Sequence, residues 1–189
     1  MSHLTNKERT LLQDLQSHEE ICIQKYNNYA NQTNDQQLQQ IFQNLAQKEQ
    51  NHYDTISQML QGQVPDMSQG QQQGQQQGQQ QQQGQQQGTG QMAQSMGSGG
   101  QQSQGQSQQT MYQNNNNPMT NAMAQEKEAS LCHDMLMTEK YVSSAYNTVV
   151  FEVTDPQIRK ALQHIQQEEQ QHGEELFNYM QANGMYQVN

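Results

Sequence analysis

The chain carries one pattern twice. Shifted by 120 residues, its N-terminal part aligns with its C-terminal part without a gap. Leu11 meets Leu131, Asp14 meets Asp134, Glu19 meets Glu139, and Tyr26-Asn27 meets Tyr146-Asn147. Further on, Asp35 meets Asp155, Gln43 meets Gln163, and Glu49 and His52 meet Glu169 and His172. Apolar positions match in kind: Leu38 with Ile158, Phe42 with Leu162, Leu45 with Ile165, and Ile56 with Leu176. A copy this regular means one supersecondary unit used twice.

That unit reads as a helical hairpin. Asn34-Asp35 and Thr154-Asp155-Pro156 are helix-start signals, because Asp caps orphan amides and Pro fits the first helical turn. The spacing predicts helices over 7–32, 36–61, 126–152 and 156–181, the last ending near Gly184. Each carries a narrow apolar stripe. The first shows Leu12, Leu15, Cys22 and Tyr26; the second Leu38, Phe42, Leu45, Ile56 and Met59. The third shows Met135, Val142, Tyr146 and Val149; the fourth Ile158, Leu162, Ile165, Leu176 and Tyr179. Spacings of three and four residues suit an all-α fold, a four-helix bundle built from the two repeated hairpins.

Between the copies the composition changes. No Asp, Glu, Lys or Arg occurs between Asp66 and Glu126, and the segment runs through GQQQGQQQGQQQQQGQQQGTG to QNNNNP. With almost nothing to bury, such a tract is expected to be a disordered linker. Stacked Gln and Asn side chains would also allow self-association. The chain thus divides into a first hairpin (1–62), a Gln/Gly/Asn-rich linker (63–124) and a second hairpin (125–189) that completes one bundle. About 60 linker residues easily span a helix length of roughly 40 Å, so the linker leaves the topology open.

Charge narrows the function. The net charge of −10 and the isoelectric point near 4.8 argue against nucleic acid, whose binders need a basic stripe. They also weaken the case for an anionic membrane surface, and no stretch of 18 apolar residues is present to span a bilayer. The opening MSHLTNKERT lacks the apolar segment of a secretory signal, so synthesis in the cytoplasm is expected. Cys22 and Cys132 are too few for a disulfide framework and are read as free thiols, with a single bridge as the alternative.

Six ionisable residues sit on the apolar stripes. Glu19 lies between Leu15 and Cys22, and Glu139 between Met135 and Val142. Glu49 and His52 lie between Leu45 and Ile56, and Glu169 and His172 between Ile165 and Leu176. Glu19 and Glu49 are each 15 residues from the first turn near residue 34, roughly 22 Å along their helices, and so face each other at one height. Glu139 and Glu169 repeat this about residue 154. Four buried carboxylates repel one another and each costs several kcal/mol to bury unpaired, on the order of the usual penalty. Two divalent cations would cancel their charge. One Glu from each of two helices, plus Glu-x-x-His from each of the other two, is the dinuclear carboxylate arrangement of helical bundles. Oxygen and imidazole ligands suit two iron or manganese ions.

Blander readings stand beside this one. Duplication can copy a meaningless pattern, and the glutamates can instead bond Lys25, Lys127 or Lys140. Tyr26 and Tyr146, seven residues after Glu19 and Glu139, lie close enough to hydrogen-bond a ligand or act in redox chemistry; core aromatics are the plainer reading. His18, His133 and His164 lack counterparts and read as surface residues. Glu20, Glu168, Glu174 and Glu175 read as a solvated face.

The six-residue pattern resembles the ferritin-like superfamily, including rubrerythrins and manganese catalases. The second hairpin is similar to a narrower family. MLMTEKYVSSAYNTVVFEVTDPQIRKALQHIQQEEQQHGEELFNYMQANGMY resembles the spore coat protein F family over about residues 128–186. The likeness rests on Glu139-Lys140, Tyr146-Asn147, Glu152 before the Thr154-Asp155-Pro156 turn, Ile158-Arg159, Glu169 with His172, and the ending Leu176-Phe177, Met180, Gly184 and Tyr186. Met185 stands where that family often has Trp. The first hairpin is a more distant copy, lacking Lys after Glu19 and the terminal Gly-x-Tyr, and the linker is outside the family pattern.

The resemblance implies a protein made in the mother cell and laid down in the endospore coat, with other coat proteins as partners. Linker glutamines would help a coat layer cohere, by self-association or as acyl donors in cross-links. Two function classes follow. One is a structural coat component holding a dinuclear site; the other is a di-iron or di-manganese oxidase, peroxidase or catalase protecting the spore from peroxide. Iron storage in a shell is disfavoured, because nothing points to cage interfaces.

Overall fold

A computed structural model describes residues 4–63 and 118–186 of the chain. The described residues form four helices: α1 (Asn6–Ala30), α2 (Gln36–Leu60), α3 (Pro118–Glu152) and α4 (Pro156–Ala182). They form one compact unit, with no strand among the described residues. The tract expected to be a disordered linker lies outside the described residues, apart from its two ends.

The helices start where the sequence provides caps. The Asp35 carboxylate accepts from the Leu38 amide at 2.7 Å. Asp155 accepts from Gln157 at 2.8 Å and Ile158 at 3.3 Å, with Pro156 opening the helix. Thr5 and Glu8 close a capping box on α1; this Thr-x-x-Glu signal is plain in the sequence. Gly62 (φ 76°) and Gly184 (φ 69°) take the left-handed conformation just after α2 and α4, which glycine alone adopts without strain. One boundary departs from expectation. The helix placed at 126–152 begins at Pro118, inside the stretch assigned to the linker. Pro at the first position and a following Ala-Met-Ala-Gln run favour helix; low complexity upstream concealed the change.

The packing order is α1–α2–α4–α3 around the bundle, each helix touching two neighbours. Adjacent helices run antiparallel throughout. Lys7 near the start of α1 pairs with Glu152 at the end of α3, whereas Lys127 near the start of α3 donates to the Gln32 carbonyl beyond the end of α1 at 2.9 Å. Hence α2 ends at one end of the bundle and α3 begins at the other. The connection must cover the length of α2, whose 25 residues span roughly 37 Å at 1.5 Å per residue. Every apolar stripe residue predicted above is buried. Cys22 and Cys132 are buried and form no disulfide.

Two glutamates bind the hairpins together reciprocally. Glu8 of α1 is 2% exposed; it accepts from the Thr154 amide at 2.7 Å and hydroxyl at 2.8 Å, in the turn of the second hairpin. Glu128 of α3 accepts from the Thr33 hydroxyl at 3.1 Å and the Asp35 amide at 3.2 Å, in the turn of the first. Each hairpin thus fastens the other's turn. Burial alone would raise the Glu8 carboxyl, but the hydrogen bonds from Thr154 and Thr5 outweigh it and lower it from 4.5 to about 2. A depressed carboxylate contributes stability above its unfolded pKa and loses it as pH falls through the folded one. Glu8→Ala should therefore cost about 1–2 kcal/mol at pH 7, the scale of a lost cap with buried hydrogen bonds. Urea unfolding should show the gap to wild type shrinking between pH 4.5 and about 2. A gap unchanged across that range would assign the loss to packing instead.

Candidate metal centre

Six ionisable side chains meet at mid-height in the bundle. Glu19, Glu49, His52, Glu139, Glu169 and His172 are each no more than 3% exposed. They are buried because each sits one or two helical turns from a core residue on its own stripe, so the backbone periodicity that buries Leu45 and Ile56 buries Glu49 and His52 too. Their ligand atoms form two overlapping clusters. Glu19, Glu49, His52 and Glu169 make one; Glu49, Glu139, Glu169 and His172 make the other, with all atoms of a cluster within 4.8 Å of one another. Glu49 and Glu169 belong to both.

The clusters are assembled between hairpins. His52 Nδ1 lies 2.8 Å from Glu169 Oε1, 3.4 Å from Glu49 Oε2 and 3.6 Å from Glu19 Oε2. His172 Nδ1 lies 2.8 Å from Glu49 Oε1 and 3.7 Å from Glu139 Oε2. The two imidazoles stack with centroids 5.5 Å apart and planes inclined by 15°. The tyrosines also cross over. The Tyr26 hydroxyl donates to Glu139, and the Tyr146 hydroxyl donates to Glu19. Each phenol occupies one oxygen of a glutamate and turns the other inward.

Apart from these histidine contacts, the inward atoms lack partners. Glu19 Oε2, Glu49 Oε2, Glu139 Oε2 and both oxygens of Glu169 are buried with no hydrogen bond, as is His52 Nδ1. A buried polar atom without a well-formed hydrogen bond is costly and rare, and so many carboxylate oxygens converging on one spot call for positive charge. Lysines do not supply it. Lys25 is held by Thr138 and Asp134 at 2.7 Å each, and Lys127 by Gln32. Among the described residues, the ion pairs of these four glutamates are with the two histidines.

The electrostatics say the same. Burial, reinforced by Glu49, holds Glu19 up to about 8 and raises Glu169 well above the usual carboxylate range. Burial would raise Glu49 too, but hydrogen bonds with His172 and His52 lower it. Burial opposes charge on the imidazoles, yet the surrounding carboxylates raise both His52 and His172. These shifts share one cause, negative charge gathered in a buried place, and either protons or cations would offset it. Two divalent ions would match four carboxylate charges, and the oxygen-rich, two-imidazole donor set suits iron or manganese.

One neighbour escaped the sequence reading. Glu168, read as part of a solvated face, is half-buried, and its Oε2 lies 3.1 Å from His52 Nε2. It thereby holds the ring with Nε2 outward and Nδ1 toward the cluster. The His172 Nε2 atom has no such partner, and Lys48 stands where the copied pattern would place one. Of the other histidines, His133 is exposed as expected. His18 is half-buried against Tyr141, and His164 is half-buried near Glu168. Helical periodicity cannot reveal contacts made across the bundle, and that is why Glu168 looked idle.

Residues 127–189 match the family model described as the Coat F domain. Over these residues the second hairpin is similar to the Coat F domain. No curated protein and no solved structure matches the chain. The Coat F hairpin supplies Glu139, Glu169 and His172, three of the six side chains, and the N-terminal hairpin outside the match supplies Glu19, Glu49 and His52. No described helix is long and apolar enough to cross a membrane.

Proposed function

We propose that this chain is a structural component of the bacterial endospore coat, made in the mother cell, whose ferritin-like bundle holds a pair of iron or manganese ions. The Coat F match supports the coat role. The observation that carries the metal reading is the convergence of unpartnered buried oxygens from four glutamates with the Nδ1 atom of His52. Glu19, Glu49, His52 and Glu169 would hold one ion, and Glu49, Glu139, Glu169 and His172 the other. Such a pair supplies Lewis acidity and a reservoir of redox equivalents.

The chain's own residues then have defined roles. Glu49 and Glu169, which belong to both clusters, would contribute to holding both ions. Tyr26 and Tyr146 orient Glu139 and Glu19 through the hydrogen bonds described above. Glu168 accepts from the outer nitrogen of His52 and makes its inner nitrogen the better donor. Bridging four helices at mid-height, the ions would stiffen the bundle within a cross-linked layer. The Gln-rich linker would contribute cohesion, by self-association and by contacts with other coat proteins. A second reading, a di-iron or di-manganese oxidase, peroxidase or catalase acting against peroxide, is favoured by one feature: a cleft that reaches Glu139 and Glu169 from outside.

Coat extracts from purified spores should contain the chain, and a chain confined to vegetative cells would refute the coat role. Metal-dependent consumption of peroxide by the purified protein would move the reading to the enzyme. Glu168→Ala should weaken one of the two metal sites about 10–100-fold and spare the other, the usual effect of losing a carboxylate behind a ligating histidine. Competition titration with a chelating dye would resolve the two; equal weakening of both would refute that role.

A further inference from the structure

A cleft of about 520 Å³ opens between α3 and α4 of the Coat F hairpin. Lys140 and Glu174, both exposed, lie on its outer side. Glu139 and Glu169, 1% and 0% exposed, lie at its inner end. Both residues line this cleft, and Glu139 Oε2 and Glu169 Oε2 are buried without a hydrogen bond.

Small residues line the way in. Ser143, Ser144 and Gly173 border the cleft, whereas the first hairpin carries Ile23, Gln24 and Tyr53 at the matching places. Gly173 is the telling one. It sits within α4 and has no positive φ, so helix geometry does not require glycine there. A Cβ would meet Leu136 Cδ1 at 3.7 Å and Glu139 Cβ at 3.8 Å, ordinary contacts, so close packing does not require it either. Glycine inside a helix weakens it. What it provides here is room beside Glu139.

We propose that this cleft is the entrance by which a small oxygen- or nitrogen-donor ligand reaches the metal position bounded by Glu49, Glu139, Glu169 and His172. The inference rests on the metal reading above and adds direction to it: ligands arrive through the Coat F hairpin. The opposed charges of Lys140 and Glu174 leave the outer side without a net sign. The entrance therefore admits neutral and singly charged molecules of a few atoms, such as water, peroxide or azide.

The test uses the full chain loaded with cobalt(II), whose visible absorption reports its ligands, titrated with azide. Wild type should take up two cobalt ions, and azide should shift the bands saturably. Gly173→Tyr, the residue found in the first hairpin, should keep both ions and lose at least about tenfold in azide affinity, because the pocket wall is filled. Gly173→Ala should stay within about threefold of wild type, since a single methyl fits without displacing a neighbour. If Gly173→Tyr fails to fold, the double variant Ser143→Ile, Ser144→Gln closes the opposite wall and carries the same expectation. Two bound cobalt ions with wild-type azide affinity in a closed variant would overturn the entrance while leaving the metal centre intact. So would a loaded wild type whose spectrum azide does not change. No cobalt in the wild type would remove the metal centre and the entrance together.

Discussion

Replacing Glu169 by alanine should strip the chain of both ions, whereas replacing Glu139 should leave one. The difference follows from membership. Glu169 contributes to both clusters, and Glu139 to the one that contains His172. Truncating Glu169 removes a carboxylate from each position and leaves each short of the donors a bound ion needs. Truncating Glu139 leaves Glu19, Glu49, His52 and Glu169 in place. Metal analysis should fall from about two ions to nearly none for Glu169→Ala and to about one for Glu139→Ala, if one dinuclear site is shared as in helical-bundle carboxylate proteins. Helical circular dichroism would show that both variants remain folded. Equal loss in the two variants would contradict the bridging assignment.

The second large effect is on stability. Wild type given ferrous or manganous ions should unfold well above its chelator-treated form. A ligand at a thousand times its dissociation constant stabilises the folded state by about 4 kcal/mol per site. For a domain of this size each kcal/mol raises Tm by about 2–8 °C, so two filled sites should add well over about 10 °C. Part of the gain comes from relieving the protons and unpartnered oxygens that Glu19 and Glu169 otherwise carry. Chelation should reverse the shift, and Glu169→Ala should show none. A calorimetric scan that metal does not move would mean that the ions sit on the acidic surface, where they bind folded and unfolded chains alike.

Much of this architecture can be read from the residues. Periodicity placed Leu38, Phe42 and Leu45 on one stripe and Glu49 and His52 on its continuation. Equal distances from the turns put the paired glutamates at one height, and the structure brings all six ionisable residues to one centre. Asp35 and Asp155 announced their helices and cap them. What could not be read involves contacts between hairpins. The fastening of each turn by Glu8 or Glu128, the antiparallel pairing of α1 with α3, and the reach of Glu168 to His52 all join residues more than 90 positions apart. Nothing in a 3.6-residue period specifies such partners. Tyr26 and Tyr146 are intermediate: their place near the glutamates was legible, but their crossed hydrogen bonds depend on how the hairpins dock. Gly173 was visible as a letter and silent as a cleft, because its meaning depends on the residues facing it from α3.

The most direct test is the metal content of the full chain purified without chelators, measured by mass spectrometry before and after incubation with ferrous or manganous salt. About two iron or manganese ions per chain are expected, the complement of a dinuclear carboxylate site in a helical bundle. A folded chain that holds no metal under either condition would contradict it. The buried carboxylates would then be neutralised by their own protons and histidines, and the function would lie in coat assembly alone.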